Sequence, residues 1–308
     1  KAAIREQVET AAERLGYRPD PALAALMRHR QQSTDGKPTG EKLLLVVPEE
    51  KEFGWGRFPI LKELEEDIQA EAARLGYQLG RIAIPSDGKQ LEPTLRKLYN
   101  KGIRGLMLAP EIDLSGILPE RWSDFVVVSL GPGAVNAPFH GIRNDFFQMG
   151  QCACRNLNAK GHQKLGYLIS EADAHTGYRA LGAVLSYAKS NPETEARTFD
   201  IQDWTDHPPR GYLSWVRQYR PTAIISIGKK MMRWHEAWRI QRKPVIEFVQ
   251  LNRPRWDRSI HGVCTPPTVH GALVAQRLHQ LLLDDERGIP KARAVVRVDG
   301  YWEAKRMD

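Results

Sequence analysis

Residues 43–47 spell Leu-Leu-Leu-Val-Val, an uninterrupted apolar run of the length of one buried strand. An amphipathic helical pattern follows from Pro59 to Leu75 and is closed by Gly76, and a second strand-like run covers Tyr77 to Ala83. A strand that is apolar on both faces belongs in a parallel sheet with helices on each side. This strand–helix–strand unit therefore predicts an α/β fold.

The same alternation continues along the rest of the chain. It extends over about 260 residues, a length that favours two doubly wound domains with parallel sheets. Ligands of such folds lie in the crevice outside the carboxyl ends of the strands. The predicted strands are 43–47, 77–83, 105–109, 125–130, 164–169, 223–227, 245–249 and 295–298, and the predicted helices are 59–75, 89–100, 145–159, 176–190, 209–219, 231–240 and 267–283.

Composition excludes several classes of protein. The 308 residues include 45 Lys+Arg, 37 Asp+Glu and three Cys, with a net charge of +8. The mean hydropathy is −0.47, and the sequence has no long uncharged apolar run that would span a membrane. Three cysteines cannot form the disulfide framework of a small secreted protein, so we expect a reducing, cytoplasmic location. Residues 217–308 hold 18 Lys+Arg and 9 Asp+Glu, an excess that fits a solvated basic face as well as a nucleic-acid partner.

The first 42 residues differ in character from the rest. The chain begins inside a helical pattern, residues 2–15, without an initiator Met, so we expect its natural N-terminus to lie upstream. Asp20 and Pro21 are a favourable N-cap and first residue for a second helix that ends near Arg30. That helix is too short to be stable alone in water, and its apolar interior needs a partner. Residues 31–42 have the Ser, Thr, Gly and Pro content of a flexible linker.

The sequence contains no pattern typical of catalysis or metal binding. Cys152 and Cys154 lie on one predicted helix with only the distant Cys264 to add, so buried structural thiols are the better interpretation than a zinc site. The nine histidines include no HExxH pair, and neither GxGxxG nor a P-loop is present. We therefore predict no enzyme activity, no catalytic residue, no cofactor and no metal site.

Residues that could bind a small molecule follow several predicted strands. Trp55 and Phe58 follow the first strand, where aromatic rings either stack on a sugar or pack under the next helix. Arg179 lies near the start of the predicted helix after 164–169, where an arginine clamps hydroxyls or a carboxylate unless it is simply solvated. Lys229 and Asn252 follow the strands 223–227 and 245–249, at ends that should face the crevice.

These residues, in their order and spacing, resemble the LacI/GalR family of bacterial transcription regulators. Residues 8–20 are similar to the end of that family's DNA-binding headpiece, and residues 22–28 to its hinge helix. The remaining matches are Asp145, Gly150, Leu157 and Gly161-His162 for the pattern D…G…L…GH, Arg179 to Gly182 for RxxG, Pro221 to Ile225 for the PTAI strand, and Pro267 with Gly271 for the late helix.

The resemblance implies two Rossmann-like lobes of the type I periplasmic-binding-protein kind, joined by three crossovers, in a homodimer with a small ligand between the lobes. It implies a headpiece end and hinge at 1–30, a linker at 31–42, a first lobe of 41–160 plus 266–287 and a second lobe of 161–265 plus 288–308. It also implies operator DNA as a partner, with Leu26 as a minor-groove wedge and Arg28 and Arg30 on phosphates. Tyr17 is the further DNA-binding candidate.

The sequence departs from the family pattern at two ligand-binding places. Gly228-Lys229 stands where the family often has Asn-Asp, and Gln250-Leu251-Asn252 stands where it usually has GxD. We therefore expect an effector that is a sugar or a sugar derivative with a negative group, bound by Trp55, Phe58, Asp145, Arg179, Lys229 and Asn252. The alternative is a solute-binding protein of a sugar transporter, which shares the fold and the cleft but not the hinge.

Overall fold

The computed structural model describes residues 41–49, 59–110, 112–114, 119–131, 137–201, 207–228, 246–266 and 268–306, and also residues 11, 14 and 234. In chain order the elements are β1 (Lys42–Pro48), α1 (Pro59–Arg74), β2 (Gln78–Ile84), α2 (Leu91–Asn100), β3 (Gly105–Leu108), a 3-10 turn (Pro119–Trp122), β4 (Val126–Leu130), β5 (His140–Asn144), α3 (Phe146–Ala159), β6 (Lys164–Ile169), α4 (Glu171–His175), α5 (Arg179–Ser190), β7 (Glu195–Asp200), α6 (Tyr212–Tyr219), β8 (Ala223–Ile227), β9 (Glu247–Leu251), β10 (His261–Cys264), α7 (Val269–Leu283), β11 (Val295–Val298) and β12 (Tyr301–Glu303).

The first lobe is built on a six-stranded sheet in the order β11-β5-β4-β3-β1-β2, and every pair of neighbours is parallel. β1 is buried on both faces, as its continuous apolar run predicts. One face packs on α1 and α7 through residues that include Ile68, Val274 and Leu278. The other face packs on α2 and on the Trp122 and Phe125 side chains.

The second lobe repeats this arrangement with the order β12-β10-β9-β8-β6-β7. Its strands are parallel except for β12, which runs antiparallel to β10. One face packs on α3 and α5, and the other packs on α6 and the buried Trp234. The predicted α/β fold with two parallel-dominated sheets is therefore confirmed.

The chain passes between the lobes three times. It leaves the first sheet after β5, returns from β10 to α7, and leaves again between β11 and β12. These crossovers correct two of the predicted lobe boundaries. Helix α3 contributes Met149, Ala153 and Leu157 to the core of the second lobe, so the first passage lies near 145 and not at 160. Strand β11 pairs with β5 in the first sheet, so most of 288–308 does not belong to the second lobe.

Four strands and the short helix α4 were not predicted, and one predicted helix begins later than expected. Strands β5, β7, β10 and β12 are short and carry polar residues, so no apolar run marks them. The predicted helix 176–190 begins instead at Arg179, as α5. The short helix α4 before it was not predicted, and the left-handed Tyr178, with a φ of 54°, lies between the two helices. The predicted helix 231–240 lies outside the described residues except for Trp234.

No helix in the described part of the chain is both long and apolar enough to cross a membrane.

Gly150 allows α3 and α5 to approach each other closely. A Cβ at Gly150 would lie 2.7 Å from Cβ of Ala183 and 3.0 Å from the carbonyl oxygen of Ala180. Real carbon atoms do not approach so closely, so a larger residue must push the two helices apart. A glycine at position 150 therefore lets α3 and α5 pack closely against each other.

We expect Gly150→Val to lower the free energy of unfolding by roughly 1–3 kcal/mol, the usual cost of overpacking a core. Gly182→Ala is the matched control, because a Cβ at Gly182 meets no atom within 4 Å, and alanine is the better helix former by about 1 kcal/mol. Urea denaturation measures both variants. Equal stability of Gly150→Val and the unmodified protein would contradict this account of the helix contact.

Candidate functional site

A hydrogen-bond network joins the two lobes at the crossovers. Asn144, the last residue of β5, donates from Nδ2 to Oδ1 of Asn252, which follows β9 (3.0 Å). Thr265, which follows β10, donates to the same Oδ1 (3.2 Å). The network places the carboxyl ends of strands from both sheets in direct contact, which is where the α/β architecture predicts a ligand crevice.

His270 completes this network from α7. Because Oδ1 of Asn144 can only accept, Nδ1 of His270 must carry the proton and donate to it (2.8 Å). Burial lowers the pKa of His270 to about 4, so the ring is neutral near pH 7. Its Nε2 is buried and makes no hydrogen bond to the part of the chain that the structure describes, which adds to the cost of charging the ring.

Asp145 caps helix α3. Its Oδ1 accepts from the backbone N–H groups of Phe147 (3.0 Å) and Gln148 (3.1 Å), two donors that a helix start otherwise leaves unpaired. The same Oδ1 lies 3.7 Å from Nη2 of Arg179. The structure therefore brings together two of the predicted effector-binding residues, one on each side of the first crossover.

Arg179 lies in the wall of a cavity between the lobes. It is the first residue of α5, directly after the left-handed Tyr178, and its side chain is 39% exposed. Its Nε is buried without a hydrogen-bond partner among the described residues. The cavity has a volume of about 200 Å³. Its lining residues are Arg143, Asn144, Phe146, Thr176, Gly177, Arg179, Arg293, Val295 and Arg297.

Three arginines of this cavity were missed in the sequence. Arg143 lies on β5, Arg297 lies beside it on β11, and Arg293 precedes β11. The sequence signal that could have revealed them is the two-residue spacing of 293, 295 and 297, because alternate residues of an extended chain point to the same side. The segment was recognised as a strand, but without a predicted partner strand its arginines could not be placed near Arg179.

The charges of these arginines act on one another. Burial and the positive charges of Arg293 and Arg297 lower the pKa of Arg143 to about 10. Burial and the charge of Arg179 lower the pKa of Arg297, although Asp145 opposes this effect. With a pKa of about 10, Arg143 is still charged near pH 7, and four arginines line the cavity.

Arg255 forms a second connection between the lobes. It belongs to the loop between β9 and β10, and it pairs with Glu63 (2.9 Å) and Asp67 (3.5 Å) on α1 of the first lobe. The loop is held by Arg253, which is fully buried and donates to the carbonyl of Ile260 (2.9 Å) while pairing with Glu303. Salt bridges and the crossover network thus both define how the lobes face each other.

The other predicted site residues have different outcomes. Asn252 lies at the interlobe site, but its Oδ1 is engaged by Asn144 and Thr265, and its φ of 52° suits an asparagine better than most residues. Trp55, Phe58 and Lys229 of the effector prediction lie outside the described residues. The DNA-binding predictions also lie there, namely Tyr17, Leu26, Arg28 and Arg30.

The cysteines are buried thiols, as predicted for the pair on α3. Cys152, Cys154 and Cys264 are all buried and unpaired, and burial raises the pKa of Cys154 to about 12, so this thiol is unreactive near pH 7. The described residues include no group of three or more His, Cys, Asp and Glu arranged to hold a metal ion.

A larger cavity, of about 1,070 Å³, lies at the opposite end of the first sheet. It is bordered by Lys42, Gly105 and Val126, which are the first residues of β1, β3 and β4. Because ligands of open α/β sheets bind at the carboxyl ends of strands, we assign the ligand site to the smaller, interlobe cavity. The amino end of β1 is instead where residues 1–40 join the first lobe.

Comparison with known proteins agrees with this architecture. The family of periplasmic binding proteins and sugar-binding domains of the LacI family matches residues 40–226, more than half of the chain. The chain belongs to this family. The match includes all of the first sheet except β11, and it ends within β8 of the second sheet.

Individual relatives of the LacI family show the same likeness. The HTH-type transcriptional repressor PurR of Mannheimia succiniciproducens is 27% identical over 174 residues, 54% of this chain and 52% of the relative. The chain thus matches about half the length of this curated relative. Among solved structures, a CelR–cellobiose complex has a TM-score of 0.64 at 14% identity and is covered to 90%, with 99% of this chain aligned.

Two further structures have the same fold. The Lac repressor bound to ONPG in its repressed state has a TM-score of 0.62 at 16% identity, with coverage of 96% of this chain and 88% of that one. A periplasmic binding protein/LacI transcriptional regulator of Alkaliphilus metalliredigens complexed with D-xylulofuranose has a TM-score of 0.63 at 14% identity. The alignment covers 87% of this chain and 100% of that one. At these identities the likeness shows the shared fold.

The buried His270 should make this LacI-family core sensitive to acid. Its pKa is about 4 in the folded protein and about 6.5 in an unfolded chain, so between these pH values only the unfolded state binds the proton. The contribution of neutral His270 to the free energy of unfolding is complete above pH 6.5. It is lost as the pH falls toward 4, and the loss is on the order of 3 kcal/mol. Urea denaturation from pH 7.5 to 4.5 measures this loss.

The variant His270→Asn keeps a donor for Asn144 and cannot be protonated. We expect it to be less stable at pH 7.5 because ring contacts are lost, but to lose less stability on acidification than the unmodified protein. His207→Asn, at an exposed histidine, should retain the full acid dependence. Parallel curves for His270→Asn and the unmodified protein would show that His270 is not the titrating group.

Proposed function

We propose that this protein is a ligand-responsive transcription regulator, and that it binds a small sugar or sugar-derived effector between its two lobes. The observation that carries the proposal is the interlobe cavity beside the carboxyl end of β5, which Arg179 of the second lobe and Asn144 of the interlobe network both line. A ligand there would contact both lobes. Binding to one lobe arrangement more tightly than to another is the requirement for a ligand-driven switch.

The comparisons support the regulator over the alternatives. The relative with sequence similarity is named a transcriptional repressor. Two solved neighbours of the same fold are a transcriptional regulator complexed with cellobiose and a periplasmic binding protein/LacI transcriptional regulator complexed with D-xylulofuranose. A transporter's solute-binding protein would share this fold, but the similarity to the PurR repressor favours a regulator. The same similarity supports our proposals that the protein is not an enzyme and that it is cytoplasmic.

The proposal includes operator DNA and a second copy of the chain as partners. A Lac repressor dimer bound to operator, with a TM-score of 0.62, is among the structural neighbours, and residues 1–30 carry the motifs of a headpiece end and hinge. We propose Tyr17, Leu26, Arg28 and Arg30 for DNA contact. We propose Trp55, Phe58, Asp145, Arg179, Lys229 and Asn252 for the effector.

The first test is a melting-temperature screen of the purified protein with neutral sugars, sugar acids and sugar phosphates. A ligand that binds only the folded state stabilises it by about 2.7 kcal/mol at 100 times its Kd. We expect a selective rise in Tm for one ligand class. No rise with any member of the screen would contradict effector binding by the cleft.

Arg179→Gln should lose most of the Tm rise that an active ligand produces, because the guanidinium that borders the cavity is removed. Arg217→Gln is the matched control, since Arg217 is an exposed residue of α6 and the change in charge is the same. A ligand that raises the Tm of Arg179→Gln as much as that of Arg217→Gln binds elsewhere, and the site assignment would then be wrong.

A further inference from the structure

We propose that the interlobe cavity is an anion site and that the effector carries a doubly charged oxyanion such as a phosphate monoester, held by Arg143, Arg179, Arg293 and Arg297. This inference rests on the proposed function, because it names the ligand class of the same cleft. It adds to Lys229, which is outside the described residues, three further basic residues whose positions the structure shows.

The four arginines come from separate elements that the fold brings to one place. Strands β5 and β11 are paired so that Arg297 is the register partner of Arg143. Arg293 enters the same cavity from the segment before β11 and donates to the carbonyl of Ala137 (2.8 Å). Arg179 faces them from the second lobe. Three guanidinium groups on one lobe and one on the other thus surround about 200 Å³.

Arg143 is built into the first sheet rather than left on its surface. The residue is only 6% exposed, and Nη2 donates to the Ser129 hydroxyl (3.4 Å). A Cβ at Gly141 would lie 2.5 Å from Nη1 of Arg143, so the glycine leaves the space that this guanidinium occupies. Because Gly141 leaves space for the buried Arg143, the fold holds this positive charge at one specific position.

The lining contains few negative groups to balance these charges. None of the described residues that border the cavity is a carboxylate. Asp145 approaches Arg179 at 3.7 Å, but its Oδ1 also accepts two backbone N–H groups of α3. Within the part of the chain that the structure describes, the residues at the cavity thus contribute four guanidinium groups and one carboxylate, an arrangement that attracts a doubly charged anion.

Guanidinium groups favour phosphate in particular. Their planar donors match the oxygen atoms of a phosphoryl group in pairs, and these charge-assisted hydrogen bonds are about twice as strong as neutral ones. The cavity is smaller than the roughly 300–1,000 Å³ of pockets that hold drug-sized ligands. It therefore fits the anionic head group of a ligand, while the sugar part would extend into the cleft between the lobes.

Isothermal titration calorimetry with inorganic phosphate tests the anion site directly, with sodium chloride at equal ionic strength in the reference. We expect saturable phosphate binding to the full chain. Arg297→Gln should weaken it by about tenfold or more, because an exposed guanidinium is removed from the cavity without disturbing the core. Arg217→Gln should bind phosphate like the unmodified protein. Absent phosphate binding, or equal loss in both variants, would overturn the proposal.

A second titration uses glucose, gluconate and glucose 6-phosphate as probes that differ in charge. Tighter binding of glucose 6-phosphate than of glucose and gluconate, with the advantage lost in Arg297→Gln, supports a phosphorylated sugar. Tighter binding of gluconate, or of glucose, would overturn the dianion assignment while leaving a sugar-responsive regulator intact. Phosphate binding that depends on Arg297, together with no Tm response to any sugar derivative, would keep the anion site but contradict the proposed function.

Discussion

The side chain of Asn144 is the point on which the arrangement of the two lobes depends. It ends the last strand before the first crossover, and its amide group both donates to Asn252 of the second lobe and accepts from His270 on the helix that follows the second crossover. Thr265, which follows β10, donates to the same Oδ1 of Asn252. His270 is buried, whereas Asn144 and Asn252 are half-buried, and a buried polar group costs on the order of 1–3 kcal/mol when its partner is removed. This interlobe hydrogen-bond network, the polar junction, therefore specifies one arrangement of the two lobes, whereas apolar contacts alone would permit the lobes to slide past each other.

The positive cavity is a consequence of this junction. Because β5 must end at Asn144, Arg143 lies one residue before the crossover, and β11 must align with β5 in order to reach the third crossover. Two like charges 4 Å apart cost between about 1 and 4 kcal/mol, depending on their exposure to water, so a cluster of arginines weakens the fold unless something offsets it. Hydrogen bonds from Arg143 to Ser129 and from Arg293 to Ala137 offset part of this cost, and a bound anion would offset more.

Much of the fold could be predicted because its central strands are continuous apolar runs. Strands β1, β3, β4, β6 and β8 and helices α1, α3 and α7 were recognised. The edge strand β7 and the short strands β5, β10 and β12 were missed because their residues are polar or few, and only pairing with neighbours defines them. The lobe boundaries moved for the same reason, since β11 cannot be assigned to a sheet without its partner β5. Arg179 was found by its position after a strand, whereas the other three arginines lie within or before strands and become neighbours only through sheet pairing.

The distribution of the arginines between the lobes bears on how a ligand could regulate the protein. A ligand changes a conformational equilibrium only by the difference between its affinities for the two states. An anion held by Arg143, Arg293 and Arg297 alone would bind to one rigid lobe and would shift nothing. Arg179 differs because it belongs to the second lobe and begins α5, which is packed on α3 through Gly150. Attraction between a bound dianion and Arg179 would therefore favour the arrangement in which the lobes are closest, and helix α3 would transmit that change to the core of the second lobe.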